Sequence, residues 1–125
     1  MLISIEAIHY AYEIAKRCYA GSLSFTEAYS KIADETGIAA NSAKDYVNNL
    51  KYMLEGKCYV RTLNTYATEY YLKQIRKDYG EQAFQSAISA TQQHVTYYNN
   101  LGYGQRRSIE KLIKKLTTWV ALLHT

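Results

Sequence analysis

Apolar residues recur every three or four positions through most of this chain, and turn-forming residues close each run. Ile8, Ala11, Ala15 and Cys18 share one face between Ser4 and Ala20, with Ile14 beside them and Tyr10, Tyr12 and Tyr19 around the stripe. That spacing predicts a first helix, capped by Ser4, ended near Gly21, and carrying Lys16 and Arg17 where the helix dipole favours cations. Ser24-Phe25-Thr26-Glu27 has the form of a capping box, so a second helix starts there and runs to about Thr36, with Ala28, Ile32 and Phe25 inward and Gly37 as its stop. Ile38 to Ala40 reads as a turn. A third helix begins at Ala40 or Asn41, the asparagine being the better cap, and buries Ala43, Val47, Leu50 and Leu54 before Gly56. From Asn41 to Glu55 it spans roughly 22 Å.

Lys57 to Asn64 shows β propensity without a partner strand, so an extended connector and a short hairpin both remain open. Thr62 or Asn64 caps a fourth helix that ends near Tyr79 and Gly80, with Ala67, Tyr71, Leu72 and Ile75 inward. The fifth helix runs from Glu81 to about Asn100 on Phe84, Ala87, Ile88, Thr91, Val95 and Tyr98. Gly102-Tyr103-Gly104 breaks it. Ser108 caps a last helix with a strong stripe of Ile109, Leu112, Ile113, Leu116, Val120 and Leu123. The expected fold is therefore all-α, a bundle of roughly six helices in one domain over 1–125, with three-helix halves at 1–56 and 57–125.

Within the first half, Ile32 to Leu54 reads as a helix-turn-helix unit. Ala33 lies four residues before Gly37, a small residue that permits close approach ahead of a glycine suited to φ > 0. Ile38, Tyr46, Val47 and Leu50 then pin the next helix to the previous one. Helical hairpins without a nucleic-acid role share this pattern.

Composition adjusts the picture modestly. With 125 residues, 48% hydrophobic and 21% charged, the chain is globular and long enough to bury a core. The absence of proline favours helices. A formal charge of +4 is compatible with a polyanionic partner. Tyrosine is over-used, 14 copies against 2 Phe and 1 Trp, which suits half-buried faces and interfaces. Cys18 and Cys58 belong to no CxxC pair and have no histidine at ligand spacing, so both are expected as buried, reduced thiols of a cytoplasmic protein. Glu6 and His9 interrupt any leader-like apolar run, and no stretch is apolar enough for a membrane span.

No motif for catalysis, metal or cofactor is present. His9, His94 and His124 are scattered. His94 stands alone on a mostly apolar helix, the usual place of a core or rim histidine. Nucleic-acid chemistry is better represented. On the third helix Asn48 suits bidentate pairing with adenine, and Lys44 and Lys51 suit guanine or phosphate. Asn41, Ser42 and the amides at the helix start suit a phosphate. Asp45 counts against DNA contact, because phosphates repel it. Arg61, Arg106 and Arg107 are candidate backbone contacts, and Arg107, Lys111, Lys114 and Lys115 can share one positive surface within two turns. Tyr66, Tyr70, Tyr71, Tyr97 and Tyr98 suit base stacking or a protein contact, although such residues more often line a core.

Several segments together carry a family resemblance: Tyr46-Val47-Asn48-Asn49, Tyr52-Met53, Gly56-Lys57, Arg61-Thr62, Tyr66 to Leu72 and Asp78-Tyr79-Gly80, then Ala87, Ala90, His94, Val95, Tyr97 and Tyr98. Over roughly residues 10–115 the chain resembles a small helical module that stands in front of HNH nuclease domains in some bacterial restriction-type endonucleases. The resemblance implies an accessory, DNA-associated role in restriction, phage defence or mobile-element biology, of bacterial or phage origin. It implies no catalysis, because the histidine pair and ββα unit of an HNH site have no counterpart here. The expected partner is double-stranded DNA. The alternative is a protein partner, with the chain acting as an inhibitor or immunity protein on a nuclease or defence complex. Helix-turn-helix units often act as dimers, so a homodimer stays open, with the last helix and its Trp119 either a dimer seam or only core.

Overall fold

The computed structural model describes residues 3–102 and 104–123, and side chains as far as Thr118. The side chains of Trp119, Val120 and Leu123, together with Tyr103 and His124, lie outside the described residues. Among the described residues there are six helices and no strand: α1 (Ile5–Tyr19), α2 (Phe25–Thr36), α3 (Ala40–Glu55), α4 (Thr65–Tyr79), α5 (Glu81–Asn100) and α6 (Arg107–Leu123). The chain divides into two compact units, one of residues 1–52 with 61–63 and the other of residues 53–60 with 64–125. The division falls inside α3, after Tyr52, rather than at Gly56.

In the first unit α1 and α2 pack against each other. Ser4 Oγ accepts the Ala7 amide at 3.1 Å to start α1. Ala7, Ile8, Ala11, Ile14 and Ala15 are buried as the periodicity requires. Tyr12 is fully buried rather than flanking the stripe, and Cys18 is only half-buried. At α2 the capping box forms in both directions, Glu27 N–H to Ser24 Oγ at 3.0 Å and Ser24 N–H to Glu27 Oε1 at 3.1 Å. Those bonds hold the Glu27 carboxyl below its ordinary range. Ala28 and Ile32 are buried, but Phe25 is exposed and packs its ring on Tyr29 at 5.1 Å, since the first helical residue lies beyond the shared face. Gly37 closes α2 at φ 79°, the left-handed conformation that disfavours any Cβ. Buried Ile38 then enters the turn.

α3 begins at Ala40, with the Ala43 amide bonded to the Ala39 carbonyl at 2.9 Å. Asn41 is therefore already inside the first turn and exposed, not the cap. Ala43, Tyr46, Val47, Leu50 and Met53 are buried, and Leu54 is only half-buried. The buried arc extends past Tyr46 to Met53, about 20° further round the helix axis on the side away from Leu50.

The connector 57–64 is irregular among the described residues, without a hairpin. Its Tyr59 is buried in the second unit and its Leu63 in the first. Asn64 caps α4 by accepting the Ala67 amide at 2.7 Å. In the second unit α4, α5 and α6 pack pairwise. Ala87 and Ala90 on α5 are fully buried, small enough for close helix contact. Ala67, Tyr71, Leu72, Ile75, Phe84, Ile88, Ile109 and Leu112 complete that core. α6 starts one residue before Ser108, and the Glu110 amide bonds the Arg106 carbonyl at 3.0 Å. Ser108 is thus not the cap; its hydroxyl meets Thr65 Oγ1 at 2.9 Å. Both cysteines are free and half-buried, more exposed than the sequence implied. No helix among the described residues is long and apolar enough to cross a membrane.

Candidate nucleic-acid interface

The outward side of α3 follows from the helical step of about 100° per residue. Asn41, Lys44, Asp45, Asn48, Lys51 and Tyr52 fall within one arc opposite buried Ala43, Val47 and Leu50. Asn41, Lys51 and Tyr52 are exposed, and Lys44, Asp45 and Asn48 are half-buried. Ser42 lies off this row, beside Asn49 and toward the buried edge. Lys44 Nζ stands 4.8 Å over the Tyr29 ring of α2, a cation–π contact that keeps the ammonium at the edge of the row. Lys51 is exposed and forms no ion pair among the described residues.

Arg61 frames this face through two contacts that no local pattern announces. Its side chain meets the Asp45 carboxylate at 3.5 Å, and its backbone carbonyl accepts a hydrogen bond from Asn49 Nδ2 at 2.9 Å. Asn49 is 1% exposed, so its amide is a buried anchor holding residues 61–63 to α3. Burial raises the Asp45 carboxyl from its ordinary value, and Arg61 offsets only part of that rise. The acid that counted against DNA contact is thus partly neutralised by a cation on the same face. The sequence reading missed Asn49; its one available signal was that it lies one helical step from Asn48, on the side of Tyr46 and Met53.

Arg106 and Arg107 belong to the second unit and part company there. Arg107 is exposed, with Nε donating to Gln105 Oε1 at 3.4 Å. Arg106 is half-buried, donates from Nη1 to His94 Nε2 at 3.0 Å, and lies 5.7 Å from the Tyr98 ring centroid. Since a guanidinium only donates, His94 Nε2 is the bare nitrogen and Nδ1 carries the proton, donated to the Tyr59 carbonyl at 2.7 Å. The Tyr59 ring stacks on His94 at 4.5 Å, and its hydroxyl donates to Thr91 at 3.1 Å. Burial pushes the Tyr59 phenol up to about 12 and lowers His94, with Arg106 lowering it further against the Tyr59 hydrogen bond. Every polar group in this cluster has a partner, as a packing core requires, and Arg106 is held within it.

On α6, Arg107, Lys111, Lys114 and Lys115 are all exposed along one side, and Lys115 meets Glu69 at 3.3 Å. Of the tyrosines, Tyr71 is core, Tyr66 and Tyr97 are exposed, and Tyr66 stacks on half-buried Tyr70 at 6.3 Å.

No protein-family model, curated protein or solved structure matches this chain.

Proposed function

We propose that the chain is a non-catalytic double-stranded DNA-binding module that lays the outer side of α3 against the duplex. The observation that carries this reading is the unbroken row Asn41, Lys44, Asn48 and Lys51, framed by Arg61, on a helix of 16 residues. At about 1.5 Å per residue that helix is roughly 24 Å long, enough to cross a major groove. In this reading Asn48 pairs with an adenine edge, and Lys44 and Lys51 meet guanine or phosphate. Asn41, Ser42 and the first amides of α3 hold a phosphate, while Arg61 and Arg107 neutralise the backbone. Arg106 contributes by fixing the loop before Arg107 rather than by direct contact. The placement in bacterial or phage restriction, defence or mobile-element biology rests on the resemblance alone, and pairing of two copies on half-sites on the helix-turn-helix reading.

The test is fluorescence anisotropy on random-sequence duplex DNA at two salt concentrations. Binding in or below the micromolar range that weakens by orders of magnitude at the higher salt is expected. Lack of binding at low salt removes the reading. A second reading, a module that binds a nuclease or defence-complex protein, has its own observation. Residues 1–52 and 61–63 carry six basic and six acidic side chains, while Tyr19, Phe25 and Tyr52 are exposed aromatics of the kind that anchor protein interfaces. Partner binding unaffected by Tyr52→Ala and Phe25→Ala would remove this second reading.

A further inference from the structure

We propose that the cavity lined by α4 and α6 is a binding site for a small amphiphilic carboxylate, an apolar ring or short alkyl chain ending in one carboxylate group. The cavity is about 440 Å³ and is lined by Lys73, Arg76, Lys115 and Leu116. That size lies in the range of small-molecule sites. Leu116 is buried and supplies an apolar wall, which the methylene stems of the two lysines extend. The Arg76 guanidinium lies 5.1 Å from the Phe84 ring centroid, which restrains where it points.

The charges are arranged around two acids. Lys73 and Lys115 both reach Glu69 Oε2, at 2.6 and 3.3 Å, and Arg76 reaches Glu81 at 2.9 Å. Lys73 and Lys115 share the one Glu69 carboxylate, so one positive charge is left over between them. Each ammonium has three N–H donors, more than Glu69 takes in these ion pairs. A monoanion matches that surplus. A dianionic phosphate would set its second charge against Glu69 and Glu81. The apolar part of the ligand covers Leu116, and its carboxylate takes donors of Lys73 and Lys115, with Arg76 on the cavity wall. The site involves no residue of α3 and does not depend on DNA binding.

The test titrates the full nitrogen-15-labelled chain with 1-naphthoate, hexanoate and uncharged 1-naphthalenemethanol, followed by amide chemical shifts. Both carboxylates are expected to give saturable shifts centred on residues 73–76 and 115–116, with the alcohol at least about five-fold weaker than naphthoate. Lys73→Met and Lys115→Met, on different helices and each checked for helicity, are expected to weaken naphthoate about two- to five-fold and leave the alcohol unchanged. Equal binding of the alcohol overturns the proposal. So do shifts centred elsewhere, unchanged affinity in both variants, or no saturation by either carboxylate up to its solubility limit.

Discussion

Asn48 and Asn49 are the same residue type one step apart on α3, yet Asn48 is half-buried and Asn49 is 1% exposed with its amide on the Arg61 carbonyl. Asn49→Ala leaves a part-buried carbonyl without its donor, so urea unfolding should show a loss of about 1–3 kcal/mol. An effect below a few tenths would mean that water replaces the bond. His94 carries the second residue-scale prediction. Its folded pKa lies below the ordinary 6.5, because burial and the neighbouring Arg106 disfavour a second cation. Between that lowered value and 6.5 the unfolded chain binds more protons than the folded one, so stability rises with pH through this window and is fully present above it. Urea midpoints should fall from neutral pH to about pH 5, and less so in His94→Gln. Glu27 and Glu69, held below their ordinary 4.5, act only at lower pH. Equal pH slopes in the two proteins would exclude His94 as the source.

At the scale of elements, the ends of α2 were the most legible feature of the chain. Ser24 and Glu27 are three residues apart and bond each other's backbone amides, so the box needs no tertiary support. Ser24→Ala should cost about 1 kcal/mol. Gly37, at φ 79°, fixes how the chain leaves α2 for α3. Gly37→Ala should cost about 1–2 kcal/mol in thermal or urea unfolding, and no change would show that the turn relaxes to another conformation. Ala40, one of the two starts the sequence offered, does begin α3, but the caps of α3 and α6 differ from expectation for one reason: Asn41 and Ser108 are good caps by chemistry, yet each already lies at the second position of its helix. At Ser108 the hydroxyl that would have capped is engaged by Thr65, 43 residues away.

For the whole molecule, charge is distributed unevenly. The first unit carries six basic and six acidic residues, and the second nine basic and five acidic, so the net +4 belongs to the second. Under the DNA reading, α3 supplies the base contacts, and the positive charge of the second unit, tested through α6, adds sequence-independent attraction wherever that unit lies. Lys51→Ala should lower the salt slope of log K by about 0.9 if it meets phosphate. Joint replacement of Arg107, Lys111 and Lys114 by alanine should lower the slope further and weaken all duplexes alike. Asn48→Ala should instead relax preference among sequences. A slope unmoved by the α6 replacements would take α6 out of the interface.

The sequence by itself determined the all-helical class, the six helices and most of their ends. Periodicity and capping act between residues three or four apart, and those signals survive in a linear string. Lys44, Asn48 and Lys51 were legible as one outer face for the same reason. Tertiary structure alone decided that Asn49 anchors Arg61, 12 residues on, and that Arg61 meets Asp45. It alone decided that His94 joins Tyr59, 35 residues away, with Arg106 held against it. It also set the boundary of the units inside α3. These choices turn on which buried donor finds which buried acceptor, and partners 12 or 35 residues apart are brought together by packing that local spacing does not encode.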